Sequence, residues 1–279
     1  MSSTFNNTVC LITGAASGMG RQLAIQLAEL GAKVIATDIN LENAFHTAQM
    51  CEIHSGQCEA IQLDVTDHEQ FAAVLQDIKT RYGRIGYLFN NAGIAMFGEL
   101  MDMTREQWQQ IVDVNIWGVI NGTTLGYELM RQQGFGHIIN TASAAGLGPV
   151  PLLSAYAMTK HAVVGLSTSL REEAKAFGIK VSVVCPGIVN TNIFDASTGF
   201  SVPIDEVRPK SPIPEMDAAE AATEILNGVR KNQSKIVFPT SAKLMDYSQR
   251  LNPSLTTPVH QMVLKQFRKL QDELYDTEN

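Results

Sequence analysis

Short β-branched runs alternate with helix-length stretches along most of this 279-residue chain, and no other feature limits its fold so strongly. Residues 9–13, 33–37, 58–65, 87–90, 137–141, 180–185 and 235–238 read as strands. The segments between them carry helical periodicity. Met19, Leu23, Leu27 and Leu30 form one apolar stripe, and Gly31 then ends the helix. The strands are continuous apolar runs, so both of their faces must be covered. Strands that alternate with helices in this way build a parallel sheet with helices on both sides. The expectation is one doubly wound α/β domain of about seven strands covering residues 1–279, with its core in 8–239 and a helical extension in 240–279.

Composition sets limits on partners. Hydrophobic residues make up 45% of the chain, enough for one large core. The net charge is −7 and there is no lysine or arginine run, which argues against nucleic acid or an anionic membrane as the main partner. No apolar run is long enough for a transmembrane segment. Residues 1–8 are polar and lack a signal-type apolar stretch, so the expected location is the cytoplasm. The four cysteines show neither CxxC nor zinc-like spacing with histidine. Cys10 and Cys185 fall inside strand patterns as reduced core residues, while Cys51 and Cys58 could in principle pair or bind metal but read better as free thiols around a loop. The histidines have no ligand spacing, and no metal is expected.

The first strand runs into Thr13-Gly14-Ala15-Ala16-Ser17-Gly18-Met19-Gly20, and a helix follows. Glycines there let the backbone turn sharply and approach a pyrophosphate, which the free N–H groups of the helix start then face. A glycine triplet is a weak signal alone; its place between a buried strand and an amphipathic helix strengthens it. The loop is thus a Rossmann-type dinucleotide cradle formed by Gly14, Ser17, Gly18, Met19 and Gly20. The second strand ends at Asp38, where a carboxylate accepts adenosine ribose hydroxyls and repels a 2′-phosphate. Neither Ser17 nor Ile39 supplies a compensating positive charge, so the expected cofactor is NAD.

With these residues in view the chain resembles the short-chain dehydrogenase/reductase family from about Thr8 to Pro239. The glycine loop is similar to the family's TGxxxGxG, and Asn90-Asn91-Ala92-Gly93 to its NNAG. Tyr156 and Lys160 match YxxxK, with Ser143 and Asn115 at the family's serine and asparagine positions. Pro186-Gly187 followed by Thr191 matches PGxxxT. The resemblance implies a catalytic set of Ser143, Tyr156, Lys160 and Asn115. It further implies cofactor contacts from Asp64, Val65, Asn91, Ala92, Gly93, Tyr156, Lys160, Pro186, Gly187, Val189 and Thr191, and a homodimer or homotetramer. The asparagine supports a proton-relay water in the family, and the lysine also holds the nicotinamide ribose.

The chemistry itself asks for such a set. Moving a hydride to or from a carbonyl carbon requires a group that exchanges a proton with its oxygen near neutral pH. A tyrosine titrates at about 10, roughly three units too high. An ammonium at about 4 Å, in an effective dielectric of about 20, supplies about 4 kcal/mol, enough to close that gap. Tyr156 and Lys160 stand at i and i+4 and so share one helix face. Ser143, just past the fifth strand, would hold the substrate oxygen.

The loops after each motif carry Ile94, Ala95, Met96 and Phe97, then Ala145, Leu147, Val150 and Leu152, then Ile188, Val189 and Asn190. Their apolar character suggests a hydrophobic secondary alcohol or ketone, such as a steroid, terpenoid, retinoid or aliphatic chain. A 3-oxoacyl-thioester reductase would share this core, and a non-catalytic dinucleotide-binding sensor would share its fold. Asp38 disfavours the NADPH that the first usually prefers, and the complete Ser-Tyr-Lys-Asn set disfavours the second. Two segments break the strand–helix rhythm. Residues 191–216 hold four prolines together with Ile193, Phe194, Phe200, Val202 and Ile204, and are expected to act as a substrate loop or lid. In the tail, Val259, Met262, Val263, Phe267, Leu270 and Leu274 recur at helical spacing, suiting a helix packed on its own domain or on a second subunit, with a second wall of the substrate pocket as the alternative.

Overall fold

The computed structural model describes residues 4–53, 57–191, 193 and 215–278. Seven strands form one parallel sheet: β1 (Val9–Thr13), β2 (Lys33–Asp38), β3 (Gln57–Gln62), β4 (Tyr87–Asn90), β5 (Gly136–Thr141), β6 (Ile179–Pro186) and β7 (Lys235–Phe238). Their spatial order is β3-β2-β1-β4-β5-β6-β7. Around the sheet lie α1 (Gly18–Glu29), α2 (Leu41–Ile53), α3 (His68–Tyr82), α4 (Arg105–Val112), α5 (Gly118–Gln133), α6 (Ser154–Ala174) and α7 (Ala218–Arg230). The chain continues into α8 (Thr240–Leu251) and α9 (Thr257–Glu278). The expected doubly wound Rossmann-type sheet with a C-terminal helical extension is present.

The continuous apolar strands are explained by the two covered faces. Along β1, Cys10 and Ile12 pack with Leu23 and Leu27 of α1 and with Ile225 and Val229 of α7. Val9 and Leu11 point the other way, onto Phe71 and Ile78 of α3 and Met130 of α5. Every β1 side chain is buried. Each large aliphatic so placed contributes about 1.5–3 kcal/mol. One expected strand is shorter than its apolar run. β3 ends at Gln62 opposite Asp38, where β2 also ends; Leu63 N makes a last bond to Asp38 O at 2.9 Å, and residues 63–65 line the cleft above the sheet.

Strand order reverses between β1 and β4, and in open parallel sheets the crevice outside the carboxyl ends at such a point is where ligands bind. The extension reaches back over that end of the molecule. Phe267 of α9 is fully buried against Leu152, its ring centroid 5.5 Å from that of Phe97, and Arg268 Nε lies 2.7 Å from Glu99 Oε1. Val259, Met262 and Val263 stay exposed, so only part of the expected apolar stripe is covered. The side chains of Leu270 and Leu274 and nearly all of the expected lid lie outside the described residues. The ends of that excursion are tied by a parallel bridge between Val189 and Met216. Among the described residues no helix is long and apolar enough to cross a membrane, and no cluster of side chains could hold a metal ion.

Candidate active site

The glycine loop is shaped by close packing as much as by its turns. Ser17 is extended and α1 starts at Gly18, with Gly14 at φ +67° and Gly18 at φ +50°. A Cβ on Gly14 would lie 2.8 Å from Ala92 Cα, one on Gly18 would lie 2.9 Å from Thr191 Cγ2, and one on Gly20 would collide with the Gly14 carbonyl oxygen. Thr13 Oγ1 accepts from both Asn91 N and Ala92 N at 3.0 Å, and Asn91 Nδ2 donates to Thr13 O at 3.1 Å. Asn91 Oδ1 is buried without a hydrogen-bond partner among the described residues. At the end of β2, Asp38 accepts from Ala16 N at 3.0 Å through Oδ2 and from Asn40 N at 2.9 Å through Oδ1. Its carboxylate is thereby fastened to the glycine loop while still lining the cleft beside it. Arg21 hydrogen-bonds the Ala16 carbonyl and Thr47 Oγ1.

Two adjoining clefts receive the expected site residues. One, of about 400 Å³, is lined by Gly14, Ser17, Gly18, Met19, Gly20, Asp38, Asp64, Val65, Asn91, Ala92, Gly93 and Thr191. The other, of about 320 Å³, is lined by Ser143, Tyr156, Lys160, Pro186, Gly187 and Val189. Met19, Asn91, Gly93 and Thr191 border both, so the two clefts form one continuous groove. A positive-φ glycine loop, a helix start and an acceptor at the end of β2 fit a dinucleotide along it. Asn115, the remaining expected residue, is buried beneath the groove.

At the end of β5 the chain turns through Ser143, whose Oγ accepts from Ala145 N at 3.1 Å. Tyr156 and Lys160 occupy the first two turns of α6 and are both buried. The Ser143 hydroxyl stands beside the Tyr156 phenol, and both line the second cleft. Lys160 Nζ donates to Thr141 O at 3.0 Å and lies 5.4 Å from the Tyr156 ring centroid. Asn115 sits in a π-helical turn (Asp113–Trp117), a local irregularity frequent at functional sites. Its Oδ1 accepts from Ile94 N at 2.9 Å, and its Nδ2 donates to Ile94 O at 2.8 Å and Thr159 Oγ1 at 3.1 Å. The side chain thus clamps the loop after β4 to α6.

The electrostatics differ from the expectation of a phenol pulled far down by Lys160. Burial pushes Tyr156 up to about 12, with the neighbouring Ser143 hydroxyl acting the other way. Burial also holds Lys160 down to about 8, from an ordinary 10.5. Each group has left water, which penalises its charged form, and the ammonium is directed at the Thr141 carbonyl.

The apolar lining is only partly where the loops suggested. Ala145, Val150, Ile188 and Val189 border the second cleft. Phe97 and Leu152 instead lie under α9, Ala95 and Met96 are buried in their own cluster, and Leu147 packs behind β6. The far wall comes from Ser241, Ala242 and Met245 of α8. Nothing local marks these three as pocket residues, since α8 is an ordinary amphipathic helix. Also unforeseen is a buried chain in which Asn90 Nδ2 donates to Asn140 Oδ1 at 2.8 Å and Asn140 Nδ2 to Ser167 Oγ at 3.0 Å. It crosses from β4 through β5 to α6 beneath the groove.

A doubly wound sheet with a glycine-lined groove across its switch point defines a dinucleotide-binding protein. The chain belongs to the short chain dehydrogenase family, whose sequence profile matches residues 8–199. It is therefore an oxidoreductase of a family that binds nicotinamide dinucleotides and acts on small molecules. It is 34% identical over 259 residues to the oxidoreductase named SadH of Mycobacterium tuberculosis, covering 89% of this chain and 92% of that one. It is 38% identical over 183 residues to the 3-oxoacyl-[acyl-carrier-protein] reductase FabG of Thermotoga maritima, covering 66% and 74%. Among solved structures, a short chain dehydrogenase/reductase from Burkholderia phymatum in complex with NAD superposes with a TM-score of 0.83. The identity there is 26%, over 90% of this chain and 96% of that one.

Proposed function

We propose that this protein is an NAD-dependent dehydrogenase/reductase that interconverts an apolar secondary alcohol and its ketone through Ser143, Tyr156, Lys160 and Asn115. The observation that carries the reading is the single groove in which Ser143 and Tyr156 together face an apolar cleft beside the glycine loop. The nicotinamide, when bound, accepts or supplies the hydride at the carbon of the substrate. Ser143 Oγ holds the substrate oxygen, and the Tyr156 phenol exchanges the proton with it. Lys160 Nζ, 5.4 Å from the Tyr156 ring centroid, would stabilise phenolate as it forms and hold a ribose hydroxyl from its seat on Thr141. Asn115 orients residues 93–94, which flank the two clefts.

Asp38 supports NAD over NADP, because its carboxylate is pinned at the end of β2 and would repel a 2′-phosphate. The cleft supports an apolar substrate, being walled by Val150, Leu153, Ile188, Ala242 and Met245 with Lys160 as its one cation among the described residues. The 38% identity to FabG favours a second reading, reduction of a 3-oxoacyl thioester. We further propose that residues 1–279 act as one catalytic domain and that it assembles as a homodimer or homotetramer. Trp117 and Met158, large apolar side chains exposed on or beside α5 and α6, support that assembly. Ile111 of α4 and Val119 of α5 are buried within the protomer. The test is turnover of NAD and NADP with a panel of secondary alcohols, and of NADH and NADPH with ketones and 3-oxoacyl thioesters. Turnover of apolar alcohols with NAD supports the proposal, thioester reduction with NADPH supports the second reading, and no turnover of any overturns both.

A further inference from the structure

Four cysteines are described, and two of them are in contact. Cys10 and Cys185 are buried in β1 and β6, where burial pushes both thiols up. Cys51 lies in the last turns of α2, fully buried in the core cluster beneath α1, and Cys58 is the second residue of β3, opposite Val34 of β2. The two thiols are neighbours where α2 packs on β3, and each acts on the other's titration. Cys58 is half-buried and lines a surface cleft with Lys33, Glu52 and Tyr82, so a small reagent can reach one member of the pair. When either thiol ionises, the S–H of the other donates to the thiolate. The first proton therefore leaves more easily than from an ordinary thiol and the second much less easily.

We propose that Cys51 and Cys58 form a reversible dithiol–disulfide modification site, oxidised by exchange with a low-molecular-weight disulfide such as oxidised glutathione. The Cys58 thiolate attacks one sulfur of the reagent, forming a mixed disulfide and releasing one glutathione thiolate. The Cys51 thiolate then attacks the Cys58 sulfur and displaces the second glutathione thiolate. The two cysteine protons go to the two leaving thiolates, and the two electrons reduce the reagent's S–S bond. A disulfide needs its sulfurs at about 2.05 Å and its Cβ atoms at about 3.8 Å, so two thiols already in contact are within reach of a local adjustment.

The site lies at the amino end of β3, and the glycine loop and Asp38 lie at the carboxyl ends of β1 and β2. The cross-link ties an edge strand of the sheet to the helix that covers it, far from the reacting groups. Oxidation therefore restrains unfolding at that edge and leaves the groove unchanged.

The full chain is incubated with oxidised glutathione, quenched in acid, alkylated and mapped by mass spectrometry without reduction. The expected product is an internal Cys51–Cys58 disulfide, lighter by two hydrogens, with Cys10 and Cys185 alkylated only after denaturation. Oxidation should raise Tm by several degrees, and dithiothreitol should reverse it. Cys51→Ala should stop at a stable Cys58–glutathione adduct, and Cys58→Ala should react at neither position. Recovery of both thiols unoxidised from the wild-type chain, or of a glutathione adduct on Cys58 that never resolves, overturns the proposal. That result comes from the wild type and does not depend on the variants folding.

Discussion

Lys160 should make the fold weaker at neutral pH than at pH 10.5, and the size of the effect follows from its burial. Its side chain is 2% exposed, and burial lowers its titration from 10.5 to about 8. At about 1.4 kcal/mol per pH unit, that interval corresponds to about 3 kcal/mol. For a cation whose folded value is depressed, the stabilising contribution is fully present above the unfolded value of 10.5. It is lost as pH falls through about 8. The fold binds fewer protons than the unfolded chain across that window, so stability contributed by this residue rises with pH between 8 and 10.5. The clean comparison is Tyr156→Phe against Tyr156→Phe/Lys160→Met, because the first change removes the phenol, whose unfolded value of about 10 falls inside the same range. Urea unfolding at pH 7 to 10.5 then gives a difference curve in which other groups cancel. The lysine chain should gain about 3 kcal/mol on its methionine counterpart over that range. A flat difference curve would show that the ammonium is solvated in the folded chain, and the burial reasoning would fail.

The other predictions concern the groove and its cover. Tyr156→Phe should lower turnover by about 10²–10⁴-fold while NAD affinity by calorimetry stays within about twofold, since only the proton-exchanging oxygen is lost; appreciable residual turnover would refute its role. Asp38→Ala should raise the Kd of NAD about tenfold or more and that of NADP far less, the loss of a charge-assisted hydrogen bond being about 1.5–3 kcal/mol. Damage to the loop that Asp38 ties to Ala16 would move both cofactors alike, so the ratio of the two Kd values is the measure. Met245→Ala should shift kcat/KM toward bulkier substrates with NAD affinity unchanged, and an unaltered profile would remove α8 from the substrate wall. Phe267→Ala should cost about 3 kcal/mol in urea unfolding, because it uncovers Phe97 and Leu152; the relative kcat/KM values across substrates should not move.

Much of this protein can be read locally. The periodicity of residues 9–37 determines a buried strand, an amphipathic helix and a second buried strand, because helix and strand place side chains at repeats of 3.6 and 2 residues. The glycine loop follows from its position in that unit, and Tyr156 and Lys160 share a face because they are one helical turn apart. Other features depend on which distant segments meet. The β3-β2-β1-β4-β5-β6-β7 order creates the switch point, and no single strand carries that order. Met245 becomes a pocket wall only because α8 folds back beside Gly187, where Ala242 and Pro239 leave no space for a Cβ. Cys51 and Cys58, which read as free thiols, meet because α2 packs on the strand that follows it. The direction in which Tyr156 and Lys160 shift is likewise tertiary. Their spacing suggests that the ammonium lowers the phenol, yet the removal of both from water raises one and lowers the other. Periodicity is a property of neighbours along the chain, whereas desolvation and long-range contact are set by everything packed around a group.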